Sequence, residues 1–247
     1  MAAVQRAHRL AIPFENLDIP LARGISLDPS ALFDKLVHRR RGGYCFEQNS
    51  LFLAALHALG FEARPLLARV WLGASKTPPK THTFNLVTID REEWIADAGF
   101  GGSYTPPLLL EDGAEAKTPD GAGHRLRRDD IHGWMLERAG GTMHTDGRAS
   151  DAPGWLPQYS FTCARVFAAD LSLANHFTAT APGTRFTTFR VASIATPFGF
   201  ASLLDRKLTI NGDVDELGTA EAYREALQRN FGLTLASEDI ARLALFS

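Results

Sequence analysis

Apolar positions change their period along this chain, and the changes divide it. Behind Asp28-Pro29, an N-cap residue followed by proline at the first helical position, Leu32, Phe33, Leu36 and Val37 recur at helical spacing until Gly42-Gly43 ends the run. A second helix is predicted to start at Cys45 and to carry Leu51, Phe52, Ala55, Leu56 and Leu59 as far as Gly60; its apolar face is broad enough to require burial. The first sixty residues therefore read as helical. From about residue 63 the period shortens: segments 65–72, 83–89 and 93–98 are short, rich in branched and aromatic residues, and separated by turn signals. Turn-rich stretches such as Thr118-Pro119-Asp120-Gly121 and Ala139-Gly140-Gly141 extend an antiparallel, barrel-like region to about residue 165. A connecting helix is predicted over 167–180, strands over 185–194, 198–204 and 206–210, and helices over 214–230 and 237–246, the last capped by Ser237 with Asp239 in its first turn. The pattern is that of an α+β protein.

Composition narrows the class without changing this picture. A chain of 247 residues can bury a real core as one large domain or two to three small ones. With 45% apolar and 22% charged residues and a net charge of −2, it has the balance of an ordinary globular protein rather than a binder of nucleic acid or membrane surfaces. The basic run Arg39-Arg40-Arg41 reads as a solvated helix end complementing the dipole. Two distant cysteines without a CxxC motif exclude a disulfide scaffold and a cysteine-held zinc. No apolar run is as long as a membrane span and no secretion-type leader is visible, so the expected location is the reducing cytoplasm.

Cys45 carries the candidate chemistry. It follows Arg41-Gly42-Gly43-Tyr44 at the predicted start of an apolar helix, where the dipole favours an anion. A free thiol is only a few per cent ionised at pH 7; stabilising the anion by roughly 2.7 kcal/mol would make thiolate the majority form. A nucleophilic cysteine needs a base, and the base an orienting partner. If the strands on either side of Asp90-Arg91 form a hairpin with a two-residue loop, paired positions sum to 181, so His82 faces Gly99 and Asp97 faces Phe84. Side chains alternate with period two, so His82 and Asp97 share one face as diagonal neighbours roughly 7–8 Å apart between the two strand backbones. On spacing alone two readings stay open: a Cys45–His82–Asp97 triad, or a buried Asp97 satisfied by amides of the Gly99-Phe100-Gly101-Gly102 turn with His82 merely lining a strand. His124, His132 and His144 match no zinc spacing; His176 suits a cleft less well than a helix surface, and Cys163 reads as inert core.

At these residues the chain resembles the arylamine N-acetyltransferases. The matching pieces are Ile12-Pro13-Phe14-Glu15-Asn16-Leu17, Arg41-Gly42-Gly43-Tyr44-Cys45-Phe46-Glu47-Gln48-Asn49, Thr81-His82-Thr83-Phe84-Asn85-Leu86-Val87, Asp97-Ala98-Gly99-Phe100-Gly101, Ala174-Asn175-His176-Phe177 and Arg206-Lys207-Leu208-Thr209. The resemblance implies a helical bundle bearing the nucleophile (1–62), a β-barrel bearing histidine and aspartate (63–165), and an interdomain helix with an α/β lid (166–247), with the triad arranged as in papain-like enzymes. It implies ping-pong transfer from acetyl-CoA, a cosubstrate rather than a bound cofactor, through a Cys45 thioester to arylamines, arylhydrazines or N-hydroxyarylamines. His82 would be the base, Asp97 its orienter, and the Cys45 amide part of an oxyanion site. Phe14, Gly99, Phe100, Gly101, Gly102 and Phe198 are the candidates for substrate contact; Phe14 fits a core position equally well. No metal, nucleic-acid or membrane partner is implied, and the oligomeric state stays open. A cysteine hydrolase or amidase with the same triad is the alternative. Family members usually carry about one more helix ahead of the segment from Arg6-Ala7-His8 to Pro13-Phe14-Glu15-Asn16-Leu17, so an uncovered apolar bundle surface, with lower stability or cover from a partner, is also expected.

Overall fold

The computed structural model describes residues 1–119, 121–143, 145–146, 148–149, 152–196 and 199–246. Helix α1 (Ala2–Ala11) leads into a two-residue strand β1 (Phe14–Glu15), which periodicity could not show because two residues have no period. The helix predicted behind Asp28 is present but not uniform. Asp28 Oδ1 accepts the N–H groups of Ser30 and Ala31 at 3.0 and 3.1 Å, α2 runs Pro29–Phe33, and a wide π-helical turn, Asp34–His38, replaces its second half and leaves Lys35 and Leu36 buried. Gly42-Gly43 does more than stop a helix. Gly43 pairs in parallel with Phe14, and a Cβ at Gly42 would lie 2.4 Å from the Pro13 carbonyl oxygen, so only glycine admits this approach. Helix α3 (Cys45–Ala58) buries Phe46, Phe52 and Leu56. Its C-terminal end rises to the surface, where Leu59 is exposed.

Eight strands follow or close the next region: β2 (Glu62–Val70), β3 (Lys80–Ile89), β4 (Glu92–Ala96), β5 (Leu108–Leu109), β6 (Glu115–Lys117), β7 (Gly123–Asp129), β8 (Gly133–Ala139) and β9 (Leu156–Phe161). They form one antiparallel sheet in the order β5-β4-β3-β2-β9-β8-β7-β6, curled around Leu66, Phe84, Ile95, Leu126, Leu136, Tyr159 and Phe161 into a nearly closed barrel. The predicted hairpin register is the observed one: Asn85 pairs with Ala96 and Ile89 with Glu92, across a two-residue loop in which Asp90 and Arg91 have φ of 52° and 70°. A register shift beside Ala68/Arg69 places Ala68 opposite His82 and Arg69 opposite Lys80. Thr81 is thus an extra residue, a bulge that re-aims the chain next to the site.

The C-terminal part corrects the sequence reading in three places. Helix α4 (Ala168–Thr180) is as predicted, but 185–188 is a helical turn, α5 (Arg185–Thr188), not the start of a strand. Residues 214–216, the start of the helix predicted over 214–230, belong to strand β13 (Asp213–Glu216), which is exposed throughout and so shows no alternation. Ser237 does not cap α7 (Ser237–Arg242); the N-cap position is Ala236. The remaining elements are β10 (Val191–Thr196), β11 (Gly199–Leu204), β12 (Lys207–Ile210) and α6 (Ala220–Phe231), which ends at Gly232 in the left-handed region. A five-stranded sheet, β1-β10-β11-β12-β13, packs Leu203 and Leu208 against Tyr223, Leu227 and Phe231. Strand β1 therefore leaves the N-terminal helices to become an edge of this C-terminal sheet.

Candidate active site

Cys45 is the first residue of α3, and both the start and the direction of that helix are fixed by polar groups beneath it. Glu47 accepts the Tyr44 N–H at 3.1 Å and the Lys35 ammonium at 2.7 Å; Lys35 also reaches Asp18 at 2.7 Å, while Arg41 bridges Glu15 at 2.7 Å and Asp18 at 3.1 Å. Arg41 is thus a buried ion-pair residue and not part of a solvated helix end, because the Glu15 and Asp18 carboxylates have no other cationic partner among the described residues than Lys35 and the partly exposed Arg23. Arg39 and Arg40 are exposed as expected, Arg39 pairing on the surface with Asp34.

One turn along α3, Asn49 joins the helix to the barrel. Its Nδ2 donates to the Thr83 carbonyl at 2.7 Å and to Asp97 Oδ1 at 3.0 Å, and its Oδ1 accepts the Ala98 N–H at 2.9 Å. His82 and Asp97, buried on the same face as their register requires, are hydrogen-bonded at 2.7 Å between Nε2 and Oδ2. Gly99 N–H donates to the other Asp97 oxygen at 2.9 Å. One Asp97 oxygen thus pairs with His82 and the other with the Gly99 amide of the turn, so His82 does more than line a strand. From the far side α1 supports the same turn, with Arg9 Nη1 on the Phe100 carbonyl at 2.9 Å and Gln5 Nε2 on the Thr105 carbonyl at 2.7 Å.

Burial dominates the electrostatics. Burial alone would raise the Asp97 carboxyl, but His82, Asn49 and the Gly99 amide hold it below the usual carboxylate range. The Cys45 thiol moves the other way, pushed up by burial and by the Asp97 charge against the opposing backbone N–H groups of Thr83, Phe46 and Cys45. Cys45 is 3% exposed, and its desolvation works against the thiolate that the helix terminus favours. The thiol donates instead to the Thr81 carbonyl of the bulge, at 3.7 Å. His82 lies between Phe100 and Tyr159, with ring centroids 5.2 and 5.1 Å away, and stacks on Phe84 at 6.1 Å.

Cys45 and His82 line a cavity of about 480 Å³ bounded on one side by α4, α5 and the turn between them. Of the predicted contact residues, Phe14, Gly99, Phe100 and Gly101 line it. Gly102 lies just behind, where a Cβ would stand 3.2 Å from Phe100 Cε1 and 3.3 Å from Arg148 Nη2. The space left by the other two glycines is used largely by the protein itself: a Cβ at Gly101 would be 2.9 Å from the Phe14 ring, and one at Gly99 2.6 Å from Asn49 Nδ2. Phe198, like His144, falls outside the described residues. Arg148, Arg185, Phe186 and Phe189 also line the cavity. No local pattern marked them, and Arg185, Phe186 and Phe189 lay within a segment read as strand. Asn49 did have a signal, its position one helical turn from Cys45. Cys163 is half-buried on the barrel, away from the cavity. Among the described residues no group of three His, Cys, Asp or Glu converges on a metal position, and no helix is long and apolar enough to cross a membrane.

A cysteine heading a helix that packs on a sheet carrying a paired histidine and aspartate is the framework of cysteine-nucleophile acyl-transfer enzymes, hydrolases and transferases alike. Comparison with known proteins separates these. The family described as N-acetyltransferase matches residues 1–240. The arylamine N-acetyltransferase of Mycolicibacterium smegmatis is 33% identical over 260 residues, covering 98% of this chain and 89% of the relative. The arylamine N-acetyltransferase / N-hydroxyarylamine O-acetyltransferase of Salmonella typhimurium is 50% identical over 133 residues, 53% of this chain and 47% of the relative. In such sequence alignments the chain spans about half the length of the Salmonella relative and 62% of the Escherichia coli one. Solved structures agree: the Salmonella typhimurium enzyme superposes with a TM-score of 0.86 at 33% identity, covering 98% of this chain and 89% of that one. The Mycobacterium marinum arylamine N-acetyltransferase in complex with CoA gives 0.85 at 32% identity, covering 98% and 89%. The chain belongs to the arylamine N-acetyltransferase family.

Proposed function

We propose that this chain transfers an acetyl group from acetyl-CoA, through a thioester on Cys45, to arylamines, arylhydrazines or N-hydroxyarylamines. The observation that carries the reading is the buried His82–Asp97 pair, whose imidazole borders the same cavity as Cys45. Asp97 is an acceptor only, so Nε2 carries the proton in that bond and Nδ1 is left as the base. In the first half-reaction His82 Nδ1 takes the thiol proton while Cys45 Sγ bonds to the acetyl carbon. The carbon–sulfur bond to CoA then breaks, and the departing CoA thiolate takes the proton from the imidazolium. In the second half the amine nitrogen bonds to the acetyl carbon, the Cys45 C–S bond breaks, and the amine proton passes to His82 and on to the cysteine sulfur. The Cys45 N–H, at the head of α3, supplies part of the oxyanion site. Phe14, Phe100 and the Gly99–Gly101 backbone form the floor on which the substrates lie. The M. marinum relative's complex with CoA supports the choice of donor, and the hydrolase alternative is not favoured by any relative compared above.

The reading assigns bundle, barrel and lid roles to 1–62, 63–165 and 166–247, and it needs no nucleic-acid or membrane partner. It places the enzyme in the cytoplasm, where its two free cysteines stay reduced. Incubation with acetyl-CoA alone, followed by intact-mass measurement, should add one acetyl group, and Cys45→Ser should abolish the adduct. Wild-type protein that stays unmodified would contradict the proposal.

A further inference from the structure

The asparagine of Ala174-Asn175-His176-Phe177 sits on the lid helix α4, yet it is buried against the residue that precedes the nucleophile. The fully buried Tyr44 hydroxyl donates to the Asn175 side-chain oxygen, and the Asn175 carbonyl oxygen lies 3.3 Å from it. Asn175 Nδ2 reaches the Ile25 carbonyl at 3.5 Å, which turns the amide oxygen towards the tyrosine. The Tyr44 ring packs against Phe46, with centroids 5.5 Å apart, and edge to face against the lid residue Phe186, 5.3 Å away. Tyrosine has two side-chain torsions, so a ring that is packed along its length and tied at its tip fixes the direction of its own Cα–Cβ bond.

Tyr44 is also the N-cap residue of α3, with extended backbone at φ −93° and ψ −173°. Its N–H donates to Glu47 at 3.1 Å and its carbonyl accepts the Gln48 N–H at 2.9 Å. Glu47 and Gln48 belong to α3 and turn with it, whereas the Asn175 contact ties Tyr44 to a separate helix. The Tyr44 carbonyl and the Cys45 N–H are parts of one planar peptide, so a rotation that moves the carbonyl moves the N–H with it. That N–H is the oxyanion donor of the proposed reaction, and such a donor works only when it already points at the place where charge develops. Phe177 and Thr178, two and three positions beyond Asn175, line the cavity, so the helix that walls the cavity also holds the peptide of its nucleophile. The bonds that hold the base, from His82 to Asp97 and from Asn49 and Gly99 to Asp97, involve neither Tyr44 nor Asn175. Resting on the acetyltransferase reading, we propose that Asn175 is a positioning residue for acyl transfer, which through the Tyr44 hydroxyl holds the Cys45 N–H on the developing oxyanion.

Two reactions of the same sulfur distinguish this role from a structural one. Acylation of Cys45 by acetyl-CoA or 4-nitrophenyl acetate passes through an oxyanion; its alkylation by iodoacetamide, a direct displacement of iodide, does not. Tyr44→Phe and Asn175→Leu should each slow single-turnover acylation at saturating donor about 10- to 100-fold. The half-saturating acetyl-CoA concentration and the iodoacetamide rate should both stay within about twofold of wild type, because neither reads the oxyanion donor. Asn175→Asp, which keeps an oxygen acceptor for the hydroxyl, should recover part of the acylation rate. Each single variant leaves one buried polar group unpaired, whereas Tyr44→Phe/Asn175→Leu removes both partners and should melt close to wild type while still acylating slowly. The double variant therefore carries the test even where a single one fails to fold. Acylation that recovers together with the melting temperature would overturn the inference in favour of stability alone. Parallel loss of acylation and alkylation would overturn it by placing the effect on the thiol or its base, and wild-type acylation rates in the variants would overturn it outright. Failure of the wild-type protein to form the acetyl adduct would overturn the acetyltransferase reading and this one together.

Discussion

Burial of the Cys45 thiol works against its ionisation, so the proposed attack needs a base to take its proton. That places the burden of the proposed chemistry on His82 and on the carboxylate that holds it. His82→Ala should leave Cys45 nearly inert to iodoacetamide at pH 7–8, whereas a thiol ionised by the helix terminus alone would keep reacting. Asp97→Asn should lower kcat/KM by about 10³–10⁴-fold, as when a triad carboxylate loses its charge elsewhere. It should also destabilise the protein by about 2–3 kcal/mol at neutral pH, because the buried network loses its only anion. The pH dependence follows from the sign of the shift. The folded-state pKa of Asp97 lies below its unfolded value, so its stabilisation is complete above the unfolded value and is lost as pH falls through the folded one. Urea melts should show the gap between wild type and Asp97→Asn closing in acid; a pH-independent gap would mean that the charge is not what Asp97 contributes.

At the scale of elements, α3 is held from below by the carboxylates of Glu15, Asp18 and Glu47 and the cations that pair with them. Lys35 is shared by Asp18 and Glu47, and Arg41 by Glu15 and Asp18, with the partly exposed Arg23 adding a third cation 3.6 Å from Asp18. Burial, set against the attraction of Lys35, pushes the Glu47 carboxyl up to about 7. A raised carboxyl contributes stability that is full below its unfolded value near 4.5 and is lost as pH rises through about 7. Glu47→Gln should therefore flatten the stability profile between those limits, measured by thermal melts across pH. Lys35→Met leaves Asp18 and Glu47 with a buried charge uncompensated and should cost about 3–5 kcal/mol, with Lys35→Met/Glu47→Gln recovering part of it. Because Glu47 accepts the Tyr44 N–H directly ahead of Cys45, the same variants should slow acylation more than they slow binding of CoA.

At the scale of the molecule, the segment around β1 is tied to the segment just ahead of β10, and both supply walls of the cavity. Asn16, just after β1, donates to the Phe186 and Phe189 carbonyls at 2.9 and 2.8 Å and accepts the Val191 N–H at 2.7 Å. It fastens the lid segment that supplies two aromatic walls of the cavity to the segment that supplies Phe14. Asn16→Ala removes three buried hydrogen bonds and should cost about 2–3 kcal/mol in denaturant melts. Its kinetic signature should be a higher KM for the acceptor with acylation by acetyl-CoA little changed; the reverse pattern would place the lid's contribution on the donor side.

The sequence by itself determined the features that one local signal can carry. The Asp28-Pro29 helix start, the position of Cys45 at the head of α3 and the Asp90-Arg91 hairpin depend on nearest neighbours and on side-chain period, and the register of that hairpin was enough to bring His82 and Asp97 to one face. Strand β13 escaped because it is exposed on both sides, β1 because two residues have no period, and Arg41 because its partners Glu15 and Asp18 lie more than twenty residues upstream. Only the tertiary structure decided how deeply Cys45 is buried, and with that the sign of its pKa shift, since desolvation depends on everything packed around an atom rather than on the helix that bears it. It likewise decided that Arg148 and Arg185, from separate elements, face the same cavity as the cysteine: such convergence is set by the packing of barrel against lid, a relation between distant segments that leaves no trace in the local order of residues.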